Sequence, residues 1–295
     1  MGYGSYTAQD WAKLKASRGL SSSSSANQTF TRSAYSEKLD SRFISTRESF
    51  DSSDSPNSTP IIIGFDVTGS MGYLANEIAT NSLNETIMQI LAKKPVSDPH
   101  MMCAAFTDPT EPLQATQFEA DIRVVEQLLD FKLGGGNAYA YDTLLWYFAA
   151  KHTKTDSFEK RGKKGILIGI GDEICGVPKH YLSAINIKNI FGDNISHDLS
   201  FHDLLSMAQE KYEVVHIVVG QKFRFDPSNS YASYDGWAEA LPGRVAGLEE
   251  HNIKYLSDLI TAILQLLSGV SKDEILAGLP FGKRGIIKKA MEDMC

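Results

Sequence analysis

Residues Ile61-Ile62-Ile63-Gly64-Phe65-Asp66 form an unbroken apolar run that delivers a carboxylate to its C-terminal end. Val67-Thr68-Gly69-Ser70-Met71-Gly72 follows at once as a tight, glycine-containing turn carrying two hydroxyls. A continuous run of strand-forming residues bounded by turn residues reads as a strand buried on both faces, the situation found inside a parallel sheet. A helix-like segment comes next. In an open α/β sheet, ligands bind just beyond the carboxyl ends of the strands. An Asp-x-Thr-x-Ser turn there offers oxygen donors only, which suits a hard cation such as Mg²⁺ rather than zinc or copper. The plain alternative is a strand that ends in a polar turn. The buried strand, the glycine and the Ser-Met-Gly continuation together favour a site.

The rest of the chain repeats the strand–helix alternation. Residues 72–92 read as a helix with Tyr73, Thr80, Leu83, Ile87, Ile90 and Leu91 near one face; Leu74 and Ile78 fall off that stripe, which implies a bend or a covering loop. Lys93-Lys94-Pro95 ends it with cations and a breaker. Strands are expected at 101–106, 165–170, 214–219 and, more weakly, 244–248, with a short one at 114–118. Helices are expected at 121–129, 143–152 and 253–268, and a loop-rich helical insertion at 178–211. Gly269 reads as a helix C-cap, and Ser271-Lys272-Asp273-Glu274 as the capping box of one more helix. Such alternation implies an α/β fold: a doubly wound, mainly parallel sheet with helices on both faces.

Residues 1–58 differ in composition. Sixteen of them are serine and few are aliphatic, so the segment reads as a largely disordered arm that cannot offset its ordering entropy by apolar burial. Phe30, Tyr35, Phe43 and Phe50 interrupt it, which leaves open that it lies across a folded surface. The expected organisation is an arm over 1–58, a domain over 59–269 and a helical extension over 270–295. The 295 residues include three cysteines without a CxxC pair, no apolar run long enough to span a bilayer and no basic–apolar leader, so a cytoplasmic protein is expected. A net charge of −7 argues against general affinity for nucleic acid.

Other polar residues carry less. His197 and His202 are five apart, a spacing that does not place both on one helix face for zinc. His216 lies within an apolar strand and reads as a satisfied core residue; Asp108, at the same end of the sheet as the metal loops, reads as a strand-terminating aspartate, with a supporting role behind the metal ligands as the alternative.

On Asp66–Gly72 and Gly171-Asp172 the chain resembles the von Willebrand factor A (vWA) domain, over roughly residues 58–268. The resemblance implies a Rossmann-like vWA fold and a metal-ion-dependent adhesion site. In that site Thr68 and Ser70 ligate Mg²⁺ (or Mn²⁺) directly, Asp66 acts through water, and Asp172 is the second aspartate at a strand end. A second loop, Gly134-Gly135-Gly136-Asn137, departs from the family pattern by offering Asn137 where a threonine or an acidic residue is usual. The resemblance further implies a non-enzymatic module for protein–protein interaction. Its partner would present a Glu or Asp to the metal, and an AAA+ ATPase is one such partner; nucleic acid and membrane are not.

The runner-up is a phosphotransferase of the haloacid-dehalogenase type, with Asp66 as nucleophile and Gly171-Asp172-Glu173 resembling its later metal motif. Against it, Thr68 stands where most such hydrolases carry a general acid, and Cys175 and Gly176 stand where a further acidic residue is usual.

Overall fold

The computed structural model describes residues 7–21, 29–30, 32–71, 73–134, 142–175, 181–220 and 233–295. Its strands are β1 (Arg47–Ser49), β2 (Thr59–Asp66), β3 (Pro99–Phe106), β4 (Gln114–Ala115), β5 (Thr153–Thr155), β6 (Gly165–Gly171), β7 (Tyr212–Gly220) and β8 (Val245–Glu249). The α-helices, in chain order, are α1 (Ala8–Ser17), α2 (Tyr73–Glu77), α3 (Leu83–Lys93), α4 (Arg123–Leu128), α5 (Asp142–Lys151), α6 (Asp156–Glu159), α7 (Ala184–Phe191), α8 (Phe201–Lys211), α9 (Ser233–Ala240), α10 (Leu256–Leu267), α11 (Lys272–Gly278) and α12 (Phe281–Ala290).

Six strands form one sheet in the order β4-β3-β2-β6-β7-β8, parallel except for the edge strand β4. The chain starts this sheet near its middle and winds outward in both directions, the doubly wound arrangement. Strands β2, β3 and β6 are buried along nearly their whole length, which accounts for their continuous apolar runs. Each face is covered by its own apolar layer. One contains Ile61, Ile63, Phe65, Ile87 and Leu259 against helices α3 and α10. The other contains Ile62, Leu167, Leu145, Phe148 and Leu204 against α5 and α8. Gly64 makes room for the second layer, since a Cβ there would run into Leu145.

The helix expected at 72–92 is present but is not uniform. A π-helical turn, Ile78–Ser82, separates α2 from α3. The extra residue in a π turn re-phases the helix, so Leu74 and Ile78, off the stripe of a regular helix, are nonetheless buried with Leu83 and Ile87. Helix α10 ends at Ser268 with Gly269 at φ +91°, and Ser271 caps α11 in a capping box. The residues of α11, α12 and the C-terminus (Ile275, Leu279, Ile287 and Met291) join the same apolar layer as α10.

The largest departure from the sequence reading is at residues 32–58, which are folded rather than disordered. Strand β1 pairs in parallel with β5. The buried Arg47 donates to the carbonyls of Lys38 and Ala115, and burial pushes its pKa down to about 10. Ser49 and Ser55 bracket the buried His100 ring at 3.0 and 2.8 Å, and Asp51 pairs with Arg161. Serine content predicts a solvated chain only when the hydroxyls face water. Here several are hydrogen-bonding groups in the interior, where each made bond is worth about 1 kcal/mol and each lost one more.

Candidate metal centre

The first loop is built by β2. The strand carries Asp66 to the carboxyl edge of the sheet, fully buried, where its Oδ1 accepts the Thr68 backbone N–H at 2.6 Å. That bond folds the turn back on its own strand end and brings the two hydroxyls together: Thr68 Oγ1 and Ser70 Oγ are 3.2 Å apart. The second partner comes from β6. Asp172 follows its last residue, and its Oδ1 accepts from Ser70 Oγ at 2.9 Å. Asp66, Thr68, Ser70 and Asp172, read from the sequence as members of one site, thus converge from two adjacent parallel strands. Asn137 lies outside the described residues.

The row of oxygens runs from the interior to the surface. Asp66 is fully enclosed, Thr68 is 5% exposed, and Gly69 and Ser70 are open to solvent. Asp172, at its strand end, is 7% exposed and accepts from Ser70 above it. Gly171 allows this crowding, because a Cβ there would stand 3.3 Å from the Asp66 Cβ.

Electrostatically the site is short of positive charge. Burial pushes the Asp66 pKa up to about 8; the Asp172 and Asp142 carboxylates add to the rise, against a lowering by the Thr68 hydrogen bonds. Its Oδ2 is buried without a hydrogen-bond partner. An unpartnered carboxylate oxygen in the interior is costly unless a proton or a cation meets it.

The donor set fits a small hard cation. Bonds of about 2.0–2.1 Å in an octahedron put neighbouring ligands about 3 Å apart. The Thr68–Ser70 and Ser70–Asp172 oxygen spacings are 3.2 and 2.9 Å. The Ser70 hydroxyl can give its proton to Asp172 and still offer a lone pair to the cation. Among the described residues no group of three or more His, Cys, Asp or Glu side chains is arranged to hold a metal, so a cation at this place depends on the hydroxyls.

The other sequence candidates have local partners of their own. His197 is exposed with its Nδ1 3.0 Å from Ser196 Oγ, and His202 is exposed on α8 with its ring edge-on to Phe201. Asp108 is buried and accepts both the backbone N–H and the hydroxyl of Thr110, an Asx-type turn. His216 is a core residue, but only its Nδ1 has a partner, Asp142 Oδ1 at 3.2 Å; Nε2 has none. Asp142 and Trp237 were not anticipated from the sequence. Nothing in their spacing signals that they meet, because α5, β7 and α9 come together only through the topology.

No protein-family model matches this chain, and no curated protein matches it. Solved structures do show likenesses. The pilus adhesin SpaC from Lactobacillus rhamnosus GG, in its open conformation, is 12% identical with a TM-score of 0.47, over 75% of this chain and 30% of that one. A von Willebrand factor type A protein from Catenulispora acidiphila is 12% identical with a TM-score of 0.39, over 71% and 42%. Proximal thread matrix protein 1 from the mussel byssus, solved with a zinc-occupied MIDAS motif, is 13% identical with a TM-score of 0.37, over 78% and 47%. The chain spans less than half the length of each. At TM-scores below 0.5 these likenesses carry no argument about the site, which stands on its own geometry. Among the described residues no helix is long and apolar enough to cross a membrane.

Proposed function

We propose that the protein is a divalent-cation-dependent protein–protein interaction module. Thr68, Ser70 and Asp172 hold Mg²⁺ or Mn²⁺, with Asp66 behind them and Asn137 as a further candidate ligand. The observation that carries the reading is the hydrogen-bonded row Thr68–Ser70–Asp172, set beside a buried carboxylate whose second oxygen lacks a partner. Ser70, in the middle of the row, is exposed, so a cation held there faces outward and keeps coordination positions for an external oxygen ligand. A Glu or Asp of a partner protein supplies such a ligand, and its bond to the cation is charge-assisted in a way that water's is not.

The complete burial of Asp66 weighs against the phosphotransferase reading, since a nucleophile must reach an external phosphorus atom and this side chain has no exposed surface. The chain is read as non-enzymatic and cytoplasmic. An adaptor role beside an AAA+ ATPase is the context that the vWA resemblance suggests.

Affinity purification run in parallel with Mg²⁺ and with EDTA tests this reading. A partner retained by the wild type in Mg²⁺, and lost both in EDTA and with Ser70→Ala, is the expected result. A partner held equally under all three conditions places the interaction on another surface.

A further inference from the structure

Three buried side chains behind the site form a continuous link between two of its elements. Asp142 opens α5, and its Oδ1 faces His216 Nδ1 of β7 at 3.2 Å. The His216 ring lies flat on Trp237 of α9, centroids 3.8 Å apart and planes 12° from parallel. The Trp237 indole N–H donates to the carbonyl of Glu173 at 3.0 Å, the residue directly after Asp172. His216 Nδ1 is thus the ring nitrogen that meets Asp142, and Nε2 is buried without a hydrogen-bond partner.

Space for this link is cleared on β6. A Cβ at Gly169 would run into the Asp142 carboxylate and stand 3.2 Å from His216 Nδ1. Gly171, two residues further on the same face, lies beside Asp66. The Asp142 and Asp66 side chains therefore occupy successive places over one strand.

Packing alone does not account for the arrangement. A carboxylate, an imidazole and an indole are costly to bury, and an apolar trio of similar volume would fill the same space. What the polar groups add is direction: each fixes the orientation of the next, and one end of the link is the residue that follows Asp172.

We infer that Trp237 and His216 are positioning residues for the cation, an inference that rests on the cation-site reading. Trp237 anchors the Glu173 carbonyl and so fixes the backbone that aims Asp172 at Ser70. His216 holds the Asp142 side chain over Gly169, the place next to Asp66 on the same strand face. Outer partners of this kind commonly change metal affinity by about tenfold or more when removed.

The test measures Mn²⁺ affinity by electron paramagnetic resonance of free Mn²⁺, together with the melting temperature in EDTA, on the full chain. Trp237→Phe keeps a ring against His216 but loses the N–H together with part of the indole volume; it is expected to bind Mn²⁺ about tenfold more weakly. His216→Asn, which keeps an N–H near the Nδ1 position, is expected to retain more affinity than His216→Ala. Tyr147→Phe controls for general destabilisation: it loses the bond to Asp193 elsewhere on α5, and is expected to melt earlier while binding Mn²⁺ like the wild type. Wild-type affinity in Trp237→Phe overturns the inference alone, as does an equal loss in Tyr147→Phe. A wild type that binds no Mn²⁺ overturns the cation reading and the inference with it.

Discussion

Replacing Asp66 with asparagine should stabilise the metal-free protein, although it removes the most buried group of the site. Burial raises the Asp66 pKa from 3.8 to about 8, so the folded state prefers the carboxyl protonated. A group with a raised folded pKa contributes stability that is fully present below its unfolded pKa and is lost as pH climbs through the folded value. Each pKa unit is worth about 1.4 kcal/mol, so the metal-free wild type loses on the order of 4–6 kcal/mol between about pH 4 and pH 8 from this residue. That is a large share of the 5–15 kcal/mol typical of a whole domain. The asparagine side chain cannot ionise, and its amide oxygen can still accept the Thr68 N–H while its NH₂ faces the acidic neighbours. Urea unfolding in EDTA should therefore show Asp66→Asn more stable than the wild type by several kcal/mol at pH 8, and by little at pH 5. Adding Mg²⁺ should raise the wild type and leave the variant where it is. A wild type that is equally stable at both pH values in EDTA, or a variant less stable than it at pH 8, would refute the reasoning.

Ser70→Ala removes one hydroxyl ligand and the donor to the buried Asp172, so its melting temperature in EDTA should fall modestly while the rise produced by Mg²⁺ shrinks; equal rises in the two proteins count against Ser70 as a ligand. His100 is enclosed by Ser49 and Ser55, and its burial lowers its pKa. Stability from this residue is present above the unfolded histidine value of about 6.5 and lost as pH falls below it. His100→Gln should accordingly narrow the difference in unfolding free energy between pH 7.5 and 5.5, and an unchanged difference assigns the acid sensitivity elsewhere. Arg47→Met strips the donor from two carbonyls that hold residues 32–58 to the domain, at a cost of about 2–4 kcal/mol. Limited proteolysis should then cut that segment first; protection equal to the wild type would show that other contacts hold it.

Much of the fold was legible because the central strands are buried on both faces. The apolar runs at 61–66, 101–106, 165–170 and 214–219 correspond to β2, β3, β6 and β7, each strand extending a residue or more beyond its run. Helix α10 was equally clear from its stripe of leucines and isoleucines. Strands β1 and β5 were not legible, since three residues each carry no periodicity and their pairing joins segments a hundred residues apart. The π turn was visible only as a misfit, in the two apolar residues off the helical stripe. At the site, Asp66, Thr68, Ser70 and Asp172 were readable because each sits at a strand end or in the turn that follows one. The Asp142–His216–Trp237 link was hidden: His216 looks like any histidine in an apolar strand, and the glycine that admits Asp142 looks like any glycine in one.

The central claim is that an oxygen-ligated cation sits between the Thr68–Ser70 turn and Asp172. Anomalous diffraction from a crystal soaked in Mn²⁺ tests it most directly. The account predicts a peak about 2 Å from Ser70 Oγ and Thr68 Oγ1, with at least one coordination position turned toward solvent. No peak at this turn at millimolar Mn²⁺, or a peak that persists there in a Ser70→Ala, Asp172→Asn double variant, would contradict it.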